Sequence, residues 1–526
     1  MHRRSSLSRL ACVLGFLFCG VAALFAETEP KTAADRHVVV LVWDGMRPDF
    51  VTEQHAPTLW KLAQEGVTFR HHHSVYPTMT NVNGAALATG VYPNRNTLVA
   101  NREFRPRIDP RRPFENADAP IIAKADEVTG GKYIAVPTLA EIITKAGQRT
   151  AIAGTKSVVL LHDRHAEFTN ATRNDVTKFA AIPMPTALRE ETLRLLGPFL
   201  TESANTSDER NNYATRALTE IMWRDEVPAF SLLWLSDPDL TEHEFSPGAE
   251  QSLAAIKSSD RNLALVLDAL TKKNVREDTD IFVVSDHGFS TIERAIDFPA
   301  ELRKAGFDAV SAFQDAPKAG QVMVVGDGGS ILFYVVEHDR AVTARLVEWL
   351  QHSDFAGVIF AREKFEGTFS LDTVRANSPE APDVMVALRW NKNPNRFGAP
   401  GQIVTDSART AGQGSHATLS EFDVHNTLIA AGPDFRRHEA TTLPSSNVDI
   451  APTVLHLLRL EPPVKLDGRV LLEAMEEKAE RTEVLSKTMP ASRKFPSGEW
   501  QQYLRVSLVG ETVYIDEGNG AFVEKK

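Results

Sequence analysis

His37-Val38-Val39-Val40-Leu41-Val42-Trp43-Asp44 is an apolar run that ends in a carboxylate. An uninterrupted run of this kind reads as a strand buried on both faces, as in the interior of a parallel sheet. Two more runs end the same way. Phe230-Ser231-Leu232-Leu233-Trp234-Leu235 leads into Ser236-Asp237-Pro238-Asp239, with His243 four residues later. Ile281-Phe282-Val283-Val284 leads into Ser285-Asp286-His287-Gly288, and a further imidazole follows in Gly414-Ser415-His416. Parallel strands turn their carboxyl ends to one edge of the sheet, where open α/β folds bind ligands. Asp44, Asp239, His243, Asp286, His287 and His416 would meet there, enough oxygen and imidazole donors for two hydrolytic metal ions.

Helical patterns separate these runs. Residues 57–66 have Pro57 near the start and Gly66 past the end. Residues 80–87 open a small-residue helix that stops before Gly90, and 138–146 is also helical. Residues 187–196, 212–224 and 252–272 have amphipathic spacing, and 149–153 is a short strand. Strand alternating with helix places the framework in the α/β class, a central, mostly parallel sheet with helices on both faces. The rhythm breaks twice. Residues 102–133, rich in proline and charge, read as an insertion. About 300–400 read as an inserted cap-like lobe, with strands at 320–325, 330–336 and 383–388 around a helix at 341–352. The main domain would span 27–490, and 491–526 would be a C-terminal β extension with a hairpin at 503–515.

Hydrophobic content of 43% and charged content of 24% are those of a soluble globular protein. A formal charge of -11 argues against a protein that coats nucleic acid. A small phosphorylated substrate would need local positive charge, which metal ions supply. Residues 1–26 read as an export signal: Arg3, Arg4 and Arg9, then an uncharged stretch, with cleavage after Ala23 or Ala26. The stretch is short for a membrane span, so none is expected after cleavage. Losing three arginines and no acid would take the charge from -11 to -14 and remove both cysteines, Cys12 and Cys19. An exported chain without cysteine forms no disulfide or thiolate ligand and suits a bacterial periplasm or secretion.

Tyr76-Pro77-Thr78-Met79-Thr80 ends where a helix begins. Taken singly, Thr80 is an N-cap, Asp44 a turn residue and Asp286-His287-Gly288 a turn. Beside metal ligands the helix N-terminus instead offers free N–H groups to a phosphate, and a nearby cation would acidify the hydroxyl. Arg70-His71-His72-His73 is a run whose consecutive side chains diverge, so it reads as a supporting or surface run rather than a metal site.

Several short stretches occur together: Val42-Trp43-Asp44-Gly45-Met46-Arg47-Pro48-Asp49, Tyr76-Pro77-Thr78-Met79-Thr80 and Ala88-Thr89-Gly90-Val91-Tyr92-Pro93. Asp239-Leu240-Thr241-Glu242-His243, Ser285-Asp286-His287-Gly288, Gly414-Ser415-His416 and Asn447-Val448-Asp449-Ile450-Ala451-Pro452-Thr453 complete the set. With them the chain resembles the type I phosphodiesterase/nucleotide pyrophosphatase family of the alkaline phosphatase superfamily, over roughly residues 37–472. The resemblance implies an alkaline-phosphatase-like fold and two zinc ions. One zinc would be held by Asp239, His243 and His416, the other by Asp44, Asp286, His287 and the nucleophile Thr80. Asn101 stands where the family places an asparagine on a phosphoryl oxygen. The implied reaction is hydrolysis through a phosphothreonine, with net retention at phosphorus. Gly84 and Asn96-Thr97 stand where the family often has histidine and His-Gly; neither is a ligand position.

Monoesterases of the superfamily that use threonine carry Lys-x-Arg after a strand in this region. Thr155-Lys156-Ser157-Val158 keeps the lysine, a candidate substrate ligand, and lacks the arginine. A dianionic monoester needs more positive charge than a diester. The resemblance therefore favours small phosphate diesters, nucleotides and pyrophosphates, with phosphomonoester or phosphonate hydrolysis as the alternative. Sulfatases use a modified Cys or Ser where Thr80 stands. A non-catalytic metal-binding relative would lack a ligand or the nucleophile, and none is missing.

Overall fold

The opening run forms strand β1, His37–Trp43, inside a seven-stranded sheet. The computed structural model describes residues 36–164, 186–201, 203–476 and 483–525; the expected export signal lies outside them. The other strands of the sheet are β2 Val67–Phe69, β3 Thr150–Gly154, β4 Phe230–Leu235, β5 Thr279–Val284, β6 Leu428–Ala431 and β7 Glu439–Thr441. Their order is β7-β2-β6-β5-β1-β4-β3. β5, β1, β4 and β3 are parallel, with His37 opposite Thr279 and Val38 opposite Phe230. β6 runs antiparallel to both of its neighbours.

β1 shows no alternation because both of its faces are covered. Val38, Val40 and Val42 join Leu232, Trp234, Phe282 and Ala85 and Leu87 of the helix Thr80–Thr89. Val39, Leu41 and Trp43 join Leu59 and Leu62 of the helix Pro57–Glu65 and Ile256, Leu263 and Val266 of the helix Glu250–Lys272. Each such fully buried side chain contributes about 1.5–3 kcal/mol, which holds the strand ends in place.

The lobe carries a six-stranded sheet that includes Val322–Asp327, Ser330–Val335, Ala356–Ala361 and Val384–Leu388, with the helix Arg340–Gln351. It is joined to the main body through a shared core. Met79, Val82 and Ala86 pack with Met323, Leu332, Phe360 and Met385 of the lobe and with Leu504, Val506 and Ile515 of the C-terminal sheet. A four-stranded sheet including Ser290–Ile296, Pro400–Asp406 and Gly414–Ser415 returns the chain to the edge of the main sheet.

Three expectations about elements are revised. Residues 102–133 contain the helix Ala119–Thr129, whose Ile122 and Ala125 enter the core; the surrounding charges conceal that face in the sequence. The helix expected at 212–224 starts earlier, as Ser207–Arg216, because Thr206 and Glu209 form a capping box, and it widens to a π turn over Ala217–Met222. The C-terminal β region is three-stranded, Val484–Phe495, Gly498–Val509 and Thr512–Glu524. Its first strand is polar, contains Pro490 and lies at the edge of its sheet, where proline is tolerated. No helix among the described residues is long and apolar enough to cross a membrane.

Candidate active site

Asp44, Asp239 and Asp286 follow β1, β4 and β5, and each is buried. The ends of β1 and β4 are tied directly: the Asp239 N–H donates to the Asp44 carbonyl at 2.9 Å. Gly45 makes the turn after Asp44 with φ +75°, and a Cβ there would lie 2.9 Å from the Asp239 Cβ, so only glycine fits. Asp239 opens the helix Asp239–Phe245, and His243 lies one turn along on the same face.

The three imidazoles are oriented alike. Nδ1 of His243 donates to the Gly414 carbonyl at 3.0 Å, that of His287 to the Gly288 carbonyl at 2.9 Å, and that of His416 to the Thr78 carbonyl at 2.7 Å. A carbonyl only accepts, so each Nδ1 bears a proton and each Nε2 is the ring atom turned toward the carboxylates. Burial holds His243 and His416 below the ordinary histidine range. His243 Nε2 is 3.2 Å and His416 Nε2 3.6 Å from Asp239 Oδ1. His287 Nε2 is 3.3 Å from Asp286 Oδ2, 3.6 Å from Asp44 Oδ1 and 3.9 Å from Asp239 Oδ1.

Each carboxylate has one oxygen engaged and one bare. Asp44 Oδ2 accepts from Trp234 Nε1 at 2.7 Å and from Lys156 Nζ at 3.0 Å. Asp239 Oδ2 accepts from the same Lys156 Nζ at 2.5 Å, and Asp286 Oδ1 from the Gly45 N–H at 3.1 Å. Asp44 Oδ1, Asp239 Oδ1 and Asp286 Oδ2 are buried without a hydrogen bond. Bare buried carboxylate oxygens facing imidazole lone pairs are costly unless a cation joins them. Oxygen and imidazole donors suit a zinc-type divalent ion. The donor atoms fall into two overlapping groups, Asp239 with His287 and His416, and Asp44 with Asp286 and His287. His243 adjoins the first through Asp239. His287 thus lies within reach of both groups, and its ring stacks on that of His416 at 3.6 Å.

The charges separate the acids. Burial and then the neighbouring Asp286 push the Asp44 carboxyl well above the usual range, with Lys156 opposing them. Burial alone would also raise Asp239, but His243 and Lys156 hold it well below that range.

Thr80 begins its helix, yet the N-cap is Met79, whose own side chain makes no capping bond. The Thr80 Oγ1 instead lies 3.2 Å from His287 Nε2. The next N–H, of Asn81, donates to Asn101 Oδ1 at 2.7 Å, which leaves the Asn101 Nδ2 for the adjoining cleft. That cleft, about 460 Å³, is lined by Thr80, Asn101, Lys156, Asp239, His243 and His416, with Asp327, Asp406 and Arg409 at its lobe side. Lys156, expected on the substrate, is engaged here with Asp239 and Asp44. The pairing with these two acids outweighs burial and holds its pKa above that of an ordinary lysine.

Other residues support the site. Trp234 orients Asp44. The Asn447 Nδ2 donates to the Asp286 carbonyl at 2.7 Å and to Asn83 Oδ1 at 2.9 Å, while His72 Nε2 donates to Asn447 Oδ1 at 3.0 Å. The histidine run is therefore divided: His72 supports the site through Asn447, and His73 Nε2 meets Asp516 of the C-terminal sheet at 3.0 Å. Asp237 is used elsewhere, accepting from Thr241 Oγ1 at 2.8 Å and Asn211 Nδ2 at 3.2 Å. A Cβ on Gly84 would lie 2.2 Å from Val158 Cγ2, so a histidine has no room there.

The sequence profile described as type I phosphodiesterase / nucleotide pyrophosphatase matches residues 38–396. A venom phosphodiesterase of Macrovipera lebetinus is 20% identical over 446 residues, 81% of this chain and 43% of that protein, so the chain spans less than half of its length. A bis(5'-adenosyl)-triphosphatase of Xenopus laevis is 21% identical over 448 residues, covering 83% of this chain and 82% of that protein. Human ectonucleotide pyrophosphatase / phosphodiesterase 5 has a similar fold, with TM-score 0.58, 15% identity and coverage of 84% of this chain and 100% of that one. The murine protein, in an inactive form in complex with AMP, aligns with TM-score 0.56 and 15% identity over 82% of this chain and 97% of that one.

Proposed function

The chain belongs to the type I phosphodiesterase/nucleotide pyrophosphatase family, and on that premise we propose that it is an exported two-zinc hydrolase of phosphate diesters and pyrophosphates that works through Thr80. The observation that carries the proposal is the convergence of three bare carboxylate oxygens and three imidazole Nε2 atoms beside the Thr80 hydroxyl. Zinc bound there would supply the charge that acidifies the Thr80 hydroxyl and stabilises the leaving oxygen.

The protein's own groups do the rest. Thr80 Oγ1, in a rigid buried helix, attacks phosphorus in line. The Asn101 Nδ2 and the backbone N–H of Thr80 hold a non-bridging oxygen. The leaving group departs on the side of Asp239, His243 and His416. Water then cleaves the phosphothreonine, and two in-line displacements retain configuration at phosphorus. Lys156 binds the outer oxygens of Asp44 and Asp239 and so turns their inner oxygens toward the ions. One domain over 27–490 with a C-terminal extension, and export to a periplasm or the medium, complete the reading.

The test compares bis-p-nitrophenyl phosphate with p-nitrophenyl phosphate, with and without a chelator. Zinc-dependent turnover that favours the diester supports the proposal. Zinc binding without turnover of either ester would overturn it, and a higher kcat/KM for the monoester would replace it with a monoesterase.

A further inference from the structure

Three described cations line the cleft: Arg102, Lys156 and Arg409. Lys156 is engaged by Asp44 and Asp239, and Arg102 pairs with Glu115 at 3.5 Å. Arg409 is half-buried and has no hydrogen-bond or ion-pair partner among the described residues. The acids on the same wall are satisfied by backbone. Asp327 Oδ2 accepts the N–H groups of Asn101 and Arg102 at 2.8 and 3.0 Å. Asp406 accepts those of Gly328 and Ala408 at 3.2 and 3.0 Å.

The loop that carries Arg409 is fixed on both sides. Ala408 is held by Asp406, and the Thr410 N–H donates to Gln413 Oε1 at 2.9 Å. The Gly412 N–H donates to the Ile292 carbonyl at 2.9 Å, and the Ile292 N–H to the Gln413 carbonyl at 2.8 Å. The backbone is therefore set, and the guanidinium, close enough to Asp406 to act on its charge but bonded to no described residue, lines the cleft. The same loop runs on into Gly414, whose carbonyl accepts from His243 Nδ1 at 3.0 Å, and then into His416, which places it on the side of Asp239, His243 and His416. That is the side on which the leaving group departs.

We propose that Arg409 is a specificity-determining residue that binds an anionic leaving group, the phosphate beyond a pyrophosphate bond. A planar guanidinium grips phosphate oxygens in pairs, and partial burial reduces screening by salt. An ester whose leaving group has no phosphate offers it nothing to hold. In the step concerned, the Thr80 oxygen forms a bond to phosphorus and the bridging P–O bond breaks. The departing phosphate keeps the electron pair, and water later replaces the Thr80 oxygen, which regains a proton. The proposal rests on the function proposed above and narrows it to nucleoside polyphosphates and related pyrophosphates.

The zinc-loaded full chain and its Arg409→Gln variant would be assayed on adenosine triphosphate and on the p-nitrophenyl ester of thymidine 5'-monophosphate. The variant is expected to lose about 10–100-fold in kcat/KM on the triphosphate, at least tenfold more than on the ester, because one bidentate charge-assisted contact is lost. Inhibition by inorganic pyrophosphate should weaken in parallel. Wild-type turnover with equal losses on both substrates, or with no loss on either, would refute the role of Arg409 and leave the proposed function standing. Absence of wild-type turnover on both would refute the function and this proposal together.

Discussion

The floor of the cleft and its rim are built on different principles. The floor is made of strand ends: Asp44, Asp239, Asp286 and His287 are buried and positioned by strands packed on both faces. The rim is gathered from distant loops, Asn101 and Arg102, residues 326–328 of the lobe, and 406–409. These are held to one another by contacts such as Gly329 N–H to the His416 carbonyl at 2.8 Å and Asp406 N–H to the Gly328 carbonyl at 2.9 Å. On the proposed function, chemistry sits on buried strand ends. Selectivity sits on loops that can change in sequence without moving a strand.

The sharpest way to break this contrast is at the floor. Thr80→Ala should lower kcat on a diester by about a thousandfold or more while thermal unfolding stays close to wild type, since only a nucleophile is lost. A surviving rate would remove Thr80 from its role. Asn101 joins floor and rim, so Asn101→Ala should cost about 100-fold in kcat at saturating substrate, the loss expected for one oxyanion donor. A change confined to KM would place Asn101 in the rim alone.

The packing beneath the floor gives a smaller effect. Gly84→Ala puts a methyl group into Val158 and should destabilise by about 1–3 kcal/mol in urea titration. A neutral outcome would show that the segment carrying Lys156 gives way readily.

The smallest effect concerns the C-terminal sheet, at the pair of Asp516 with His73. Burial tends to raise Asp516, but its bond to His73 wins and lowers its pKa below 3.8. A carboxylate lowered on folding stabilises the protein above its unfolded pKa, and that stability is lost as pH falls through the lower folded value. Asp516→Asn should therefore cost about 1 kcal/mol at pH 7 and progressively less below pH ~4. Unfolding midpoints measured across that range check the sign; a cost that grew on acidification would refute it.

The floor is legible in the sequence because each of its strands is a largely apolar run that leads within four residues to its acid, Asp44, Asp239 or Asp286. Thr80 and Asn101 were legible only through the resemblance, since a threonine at a helix start is ordinarily a cap. The roles of Trp234, Asn447 and Arg409 were not legible, for a physical reason. Each depends on segments more than a hundred residues apart meeting in space, and no local periodicity records that. Lys156 is legible through the comparison with Lys-x-Arg, but its partners Asp44 and Asp239 are set by the packing of β1, β3 and β4. The first C-terminal strand escaped because it is polar and largely exposed, and so carries no apolar pattern.

The sharing of groups within the floor has a thermodynamic consequence. His287 Nε2 is within 3.9 Å of carboxylate oxygens from both donor groups, and Lys156 holds one oxygen from each. Two ions bound as proposed would therefore not be separate equilibria. Loading one would draw on a ligand and a charge that the other also needs, so each would alter the affinity of the other, and by the same factor in both directions.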